Sequence, residues 1–444
     1  MAVSFLQVQI GLLIGVALII ILTARYKIHA FFALLLACFI TGIIVQMPMV
    51  DIIATAKDGF GNIMKSLGLI IVLGTTLGVI LHNTGSTAAM AAWILKKTGQ
   101  RNAALAMAIT GFIVGLAIFC DSGYIVLSGL NRSMAKRTGV AAAIMSVCLA
   151  TGLYSVHCLI PPHPGAAAAA TALGVDYGRL ILAGIIVALP VTLVAYVWAK
   201  YAGSKVNDVP ADDEADLEPA AIAAPKVLPA FLPVIVPIAL IALKSFFSVD
   251  KLGNSVLMSI FSSLGDPAIA LAIGVLLAFL AGKNHTKART AHLLQEAAEK
   301  AGGILVIIGA GGAFGAVLTA TKIGEHFSQS VHLGSLGLLF PFLLTFLIKT
   351  AQGSSTVAII TAASIIKPLL LALGLSSETG RLLCVLSMGA GSMLVSHAND
   401  AYFWVITKFS GLEMRTVLRV YSTATILMGI TALGMVYILQ WVMG

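Results

Sequence analysis

Charge is what this sequence has least of. Asp, Glu, Lys and Arg make up 10% of its 444 residues, against roughly 25% in a soluble globular domain. Its 27 basic and 18 acidic side chains cannot cover the water-facing surface of so long a chain, and 59% of the residues are hydrophobic. Together with a mean hydropathy of +1.02, this excludes a string of soluble domains and predicts an all-α polytopic membrane protein. Cysteine is also scarce. The five residues Cys38, Cys120, Cys148, Cys158 and Cys384 lie in or beside apolar runs, and no CxxC or Cys/His spacing occurs. Neither a disulfide framework nor a zinc site is indicated. Strand-like alternation is missing, as are HExxH, GxSxG and Walker patterns, so neither catalysis nor a cofactor is expected.

The charges that are present sort by sign. The stretch Ser204–Lys226 holds six acids and two lysines, which leaves +13 on the rest of a chain whose net charge is +9. That excess sits between apolar runs at Arg25/Lys27, Lys96/Lys97/Arg101, Arg132/Lys136/Arg137 and Lys283/Lys287/Arg289. Short basic clusters of this kind mark cytoplasmic loops rather than a nucleic-acid surface. The run Phe5–Leu22 is followed, not preceded, by basic residues. It is expected to be an uncleaved first span with its N-terminus outside.

Twelve apolar runs approach spanning length: 5–23, 28–46, 67–84, 102–119, 139–158, 179–199, 228–247, 267–282, 302–320, 335–348, 381–396 and 418–442. Five shorter pieces, near 86–95, 122–130, 165–173, 354–366 and 401–407, have the length of re-entrant hairpins or broken half-helices. The polar segment 204–226 divides an N-terminal half, 1–203, from a C-terminal half, 227–444. Its Asp-Asp-Glu-Ala-Asp (212–216) matches an aspartate-rich Mg²⁺-binding pattern of prenyl-transferring enzymes. In a Pro- and Ala-rich linker, solvated filler is the plainer reading.

The halves echo each other. Gly74 and Gly78 of LGTTLGVILHNTG (73–85) parallel Gly311 and Gly315 of GGAFGAVLTATKIG (311–324). A polar break follows in each, at 120–123 and 350–354, and then His163-Pro164-Gly165 parallels His397-Ala398-Asn399-Asp400 at an offset near 234. Paired interruptions in corresponding positions point to the binding site of a secondary transporter. The glycine run 309–315 lacks the third glycine of a dinucleotide fingerprint and sits inside a span. It reads as helix packing through small residues.

The four breaks carry the chemistry. Asp121, between two apolar runs and followed by Ser122 and Gly123, is too costly at bilayer depth to be idle, at about 2.5–3.5 kcal/mol. It is a candidate coupling-proton carrier, against the alternative of an acid capping the next helix. His157 and His163 flank Cys-Leu-Ile-Pro-Pro; Pro164 and Gly165 follow, and a helix restarting there directs free N–H groups at the break. Lys349, Gln352, Gly353, Ser354, Ser355 and Thr356 offer the neutral donors and acceptors that a hydroxylated carboxylate needs, while Lys349 snorkelling beside a capped helix start is the structural alternative. Ser396, His397, Asn399 and Asp400 interrupt another apolar stretch. Asp400 and His163 join Asp121 as proton candidates. His397 and Asp400 alone are too few for a metal, and none is expected.

On these residues the chain resembles the gluconate permease family of bacterial proton symporters, of the ion transporter superfamily. The resemblance rests on the opening span with its basic pair, PPHPG (161–165), AQGSSTVAIITAA (351–363) and SHANDAYFW (396–404), and covers essentially the whole chain. Family members carry an acid, usually glutamate, two positions before a glycine at the first break; here it is Asp121. The segment SGLNRSMAKRTG (128–139) departs from gluconate-specific members, and relatives handle gluconate, D-glycerate or D-serine. The resemblance implies an inner-membrane homodimer working as an elevator. Each protomer would hold two inverted repeats, a scaffold, and a transport domain whose two hairpin tips meet two broken helices. It implies proton-coupled uptake of a small hydroxy-carboxylate, with sodium coupling as the rival.

Overall fold

The computed structural model describes residues 5–99, 102–206, 225–246, 263–282, 286–321, 336–397 and 400–443. Among them all regular structure is helical, and seven helices are long and apolar enough to cross a membrane. Helices α1 (Phe5–Ile20) and α2 (Ala30–Ile44) lead into the 35-residue α3 (Met49–Asn83), then α4 (Ser86–Thr98). Next come α5 (Ala103–Gly115), α6 (Cys120–Thr138), α7 (Ala142–Leu159), α8 (Pro164–Leu173) and α9 (Tyr177–Gly203). The second half runs α10 (Val227–Phe246), α11 (Pro267–Ala281), the 34-residue α12 (Lys287–Ala320), α13 (Leu339–Gln352), α14 (Ser355–Ile366), α15 (Glu378–Met393) and α16 (Ala401–Ser410). It closes on α17 (Met414–Met443), which contains a π turn at Leu418–Ser422.

The order of lengths recurs. Starts of equivalent helices are offset by 238 (Met49 to Lys287), 236 (Ala103 to Leu339), 235 (Cys120 to Ser355), 236 (Ala142 to Glu378) and 237 (Pro164 to Ala401, Tyr177 to Met414). The glycine match keeps this register, since Gly74 to Gly311 is also 237. The other two matches shift: an offset of 237 pairs His163 with Asp400, not His397, and 235 pairs Asp121 with Thr356, not Ala351. Residue type pairs the first set of partners, whereas helix starts pair residues by position. The two long helices run antiparallel, because Arg289 at the start of α12 donates to the carbonyl of Asn83 at the end of α3, while Gly312 lies against Gly59 farther along. These are inverted repeats.

Five expected spans form helices too short for a full crossing. The runs 28–46, 102–119, 267–282, 335–348 and 381–396 become α2, α5, α11, α13 and α15, of 15, 13, 15, 14 and 16 residues. At 1.5 Å per residue they reach only about 20–24 Å, short of a ~30 Å hydrocarbon core. Hydropathy does not separate burial in protein, as over most of α15, from outward faces such as Leu343 and Leu347 of α13. In α7 every residue but Ile144 and His157 is buried. The run 67–84 is the apolar end of α3, whose first half carries exposed Lys57, Asp58 and Lys65. Of the linker, 207–224, including Asp-Asp-Glu-Ala-Asp, lies outside the described residues.

Small residues set the closest approaches. A Cβ on Gly111 would lie 2.5 Å from the Leu149 carbonyl, and one on Gly152 would strike the Ala108 carbonyl, so α5 and α7 touch backbone to backbone. The run 309–315 packs as expected, with Gly309 against Phe60 and Gly312 against Ile63 and Gly59. Gly61 in α3 faces open space. Gly152→Val is expected to destabilise the detergent-solubilised protein by about 1–3 kcal/mol through overpacking, whereas Gly61→Ala raises stability by about 0.5–1 kcal/mol. Thermal melting of both variants in micelles checks the contrast.

Candidate functional site

Two helical hairpins turn back on themselves, and two helices are broken. The first hairpin joins α5 to α6 through Leu116–Phe119, and the second joins α13 to α14 through Gly353 and Ser354. The first break separates α7 from α8 at Ile160–His163, across a cis Pro161–Pro162 bond, and the second separates α15 from α16 at Leu394–Asp400. Local chemistry explains each stop. Gly353 holds φ at +90°, which a side chain would disfavour, and Ser354 caps α14 by accepting from the Val357 N–H at 3.3 Å. Pro164 begins α8, where its missing donor costs nothing. Asp400 caps α16 through the Tyr402 N–H at 3.0 Å.

The tips and breaks converge on one cavity of about 340 Å³. Its wall takes Phe119, Cys120 and Asp121 from the first hairpin, Gly353–Val357 from the second, Tyr154, His157 and Pro164 from the first broken helix, and Asp400, Ala401 and Tyr402 from the second; Ile304, Ile307 and Ile360 close the apolar side. Tyr154 hydroxyl pairs with Ser355 Oγ at 2.8 Å and donates to the Ser392 carbonyl at 3.0 Å. Its ring stacks on that of Tyr402 at 5.7 Å. His157 Nε2 lies 3.4 Å from Thr356 Oγ1. The wall is therefore hydroxyl-rich, and the start of α14 adds unpaired backbone donors.

The two carboxylates differ. Asp400 is saturated: Oδ2 accepts from Lys349 Nζ at 2.7 Å and from Ser396 Oγ, while Oδ1 caps α16. Lys349 is fully buried in this pair, so its ammonium already has an anion. Asp121 sits in the first turn of α6 and faces the cavity. Its nearest side-chain partner is Cys120 Sγ at 3.9 Å. Ion pairs among the described residues are Arg179–Glu378, Lys300–Glu296 and Lys349–Asp400, and Asp121 belongs to none of them.

Several expected site residues stand back from the cavity. His163 is buried with Nε2 on the Gly115 carbonyl. Gly123 packs on Leu153, and Gly165 lies 3.3 Å from Thr356 Cα, measured to an added Cβ. Ser122 lines a separate cavity of about 130 Å³ with His82 and Lys300. Ser396 is buried, with its N–H donating to Thr425 Oγ1 at 3.0 Å, and the His397 carbonyl accepts from the Asp400 N–H at 2.8 Å. Asn399 and the Gln352 side chain lie outside the described residues. Residue patterns missed Phe119, Tyr154 and Tyr402 as wall residues, which His157 joins. Tyr154 and His157 are spaced i, i+3 in an apolar run, which puts them on one helix face and was the available signal. Among the described residues no cluster of three His, Cys, Asp or Glu side chains could hold a metal. Tyr154→Phe strands Ser355 and the Ser392 carbonyl, and is expected to lower stability by about 1–2 kcal/mol, read as a reduced melting temperature in micelles.

Comparison with known proteins bears on this site. The sequence model described as GntP family permease matches residues 7–442. A gluconate permease of Pseudomonas aeruginosa is 31% identical over 439 residues, covering 96% of each chain. The D-serine transporter DsdX of Escherichia coli O6:H1 is 30% identical, covering 97% of this chain and 98% of its own. In fold, the chain is similar to the solved structure of Neisseria gonorrhoeae MtrF, described as an antimetabolite efflux pump, with a TM-score of 0.65 and 16% identity over 88% of this chain and 84% of that one. A cavity walled by two hairpin tips and two broken helices thus sits in a chain that belongs to the GntP permease family, multi-pass membrane transporters rather than enzymes.

Proposed function

We propose that this permease takes up a small hydroxylated carboxylate, gluconate or a close relative, together with a proton across the bacterial inner membrane. The observation that carries this reading is the composition of the cavity wall. Ser354, Ser355, Thr356, Tyr154 and His157 supply hydroxyl and ring-nitrogen partners for a polyol chain. The N-terminus of α14 receives the carboxylate, with the start of α8 behind it. Asp121 carries the proton, since it faces the cavity without a cationic partner, whereas Asp400 is committed to Lys349. Halves 1–203 and 227–444, joined by 204–226, supply a scaffold built on α3 and α12 and a transport unit built on the hairpins. Two protomers work side by side, each as an elevator.

A second solute class is favoured by one feature. The unpaired Asp121 carboxylate suits the ammonium of a polar amino acid such as D-serine, and a D-serine transporter is among the similar proteins. Energetics separate the two. A monovalent anion entering with one proton moves no net charge, so the pH gradient alone drives it, at about 1.4 kcal/mol per unit. A zwitterion entering with a proton moves one charge and also gains about 2.3 kcal/mol per 100 mV.

Proteoliposomes with an alkaline lumen are expected to accumulate gluconate or D-glycerate, with no response to an imposed potential and none to a sodium gradient alone. Accumulation of D-serine with steep voltage dependence selects the amino-acid reading, and accumulation under sodium alone removes the proton. Asp121→Asn is expected to cut proton-driven accumulation at least about tenfold, equivalent to one pH unit of driving force, while solute exchange at equal pH persists. Unchanged accumulation by that variant sinks the role given to Asp121.

A further inference from the structure

The repeat register reveals a device that neither composition nor the proposed transport reaction requires. His163 and Asp400, 237 residues apart, occupy the same place: each is the residue immediately before the second half of a broken helix. Each side chain reaches the first arm of the hairpin in its own repeat. His163 Nε2 meets the carbonyl of Gly115, the last residue of α5. Asp400 Oδ2 meets Lys349 Nζ at 2.7 Å, in the last turn of α13. Position and target are conserved between repeats; the chemistry is not.

We propose that His163 and Asp400 are equivalent positioning residues that clamp the two hairpins to their broken helices, with an ionic clamp holding hairpin 2 fixed and a neutral clamp leaving hairpin 1 free to release. Buried charges bind each other strongly once desolvated, and separating them strands an unpaired ion. A single neutral hydrogen bond to a carbonyl contributes far less. The second clamp is also reinforced. Ser396 Oγ donates to the same Asp400 oxygen, and the Tyr154 hydroxyl ties Ser355 at tip 2 to the Ser392 carbonyl. At tip 1, Phe119 touches the rings of His157 and His163 only through edge and tilted contacts at 6.4 and 6.0 Å. Tip 1 also borders unfilled space beside its contact with Gly78 of α3. Ala117, Ile118 and Phe119 line the separate 130 Å³ cavity on their far side, and Phe119 borders both cavities. None of this depends on which solute or coupling ion is used.

Hydrogen exchange followed by mass spectrometry, on the full chain in micelles without substrate, tests the asymmetry. Peptides covering 113–122 report on tip 1 and those covering 350–357 on tip 2. In the unaltered protein, tip 1 is expected to exchange about tenfold faster than tip 2, the difference a weaker local clamp allows. His163→Ala should speed tip 1 alone. Lys349→Met should speed tip 2 alone, and Lys349→Met/Asp400→Asn, which removes both charges but keeps an oxygen to cap α16, should restore its protection. Melting temperature in the same micelles separates a local release from general unfolding. Equal exchange at both tips, a His163 effect spread over both, or no rescue by the double variant overturns the proposal. Because no solute is present, a wrong substrate assignment leaves this result untouched.

Discussion

In hydrocarbon, a backbone N–H or C=O without a partner costs several kcal/mol, and this chain halts its helices four times within its membrane-embedded part. Everything distinctive about the structure follows from meeting that demand. The halts do not face lipid; they face each other. The two hairpin tips, at Phe119–Asp121 and Gly353–Val357, and the helix ends flanking the two breaks line one cavity. There, helix starts are capped by Ser354 and Asp400, and α5 and α7 pack at glycine–glycine distance to exclude lipid. The same unsatisfied ends that make interruptions costly make them useful, since they can bind a polar solute.

Inverted repetition supplies the second half of the logic. Antiparallel α3 and α12 lead into equivalent hairpins, so one repeated helix order yields two tips and two breaks. Divergence within that frame then assigns roles. At one pair of equivalent positions stand Asp121 and Thr356, a carboxylate opposite a hydroxyl. At the other stand His163 and Asp400, a neutral partner and a charged one. Function thus resides in the differences between the repeats rather than in their likeness.

Lys349 shows how local reading and packing diverge. As a lysine beside an amide, a glycine and three hydroxyl residues, it was a natural ligand for a carboxylate. In the fold its ammonium is fully buried against Asp400, so one expected ligand and one expected proton carrier neutralise each other. That removes a cation from the cavity and leaves Asp121 as its free carboxylate. Tyr154 and Tyr402 move the other way. They look like apolar filler along the chain, yet their hydroxyls and rings build the wall.

The sequence by itself determined the solvent, the all-helical class, the twofold repetition and the neighbourhood of the four interruptions, the first of which lies at Leu116–Phe119 just before the expected 120–123. Those properties follow from composition, from glycine and proline, and from the expense of charge in a bilayer, all of which act locally along the chain. Only the tertiary structure decided which apolar runs cross and which turn back, because hydropathy cannot distinguish burial in lipid from burial in protein. It alone brought Lys349 to Asp400 and set His163 behind the cavity. Pairing between residues about 50 apart depends on how hairpins fold against broken helices. The scarcity of charge that identified the membrane also left few ions to place, and packing determined which of them remained free.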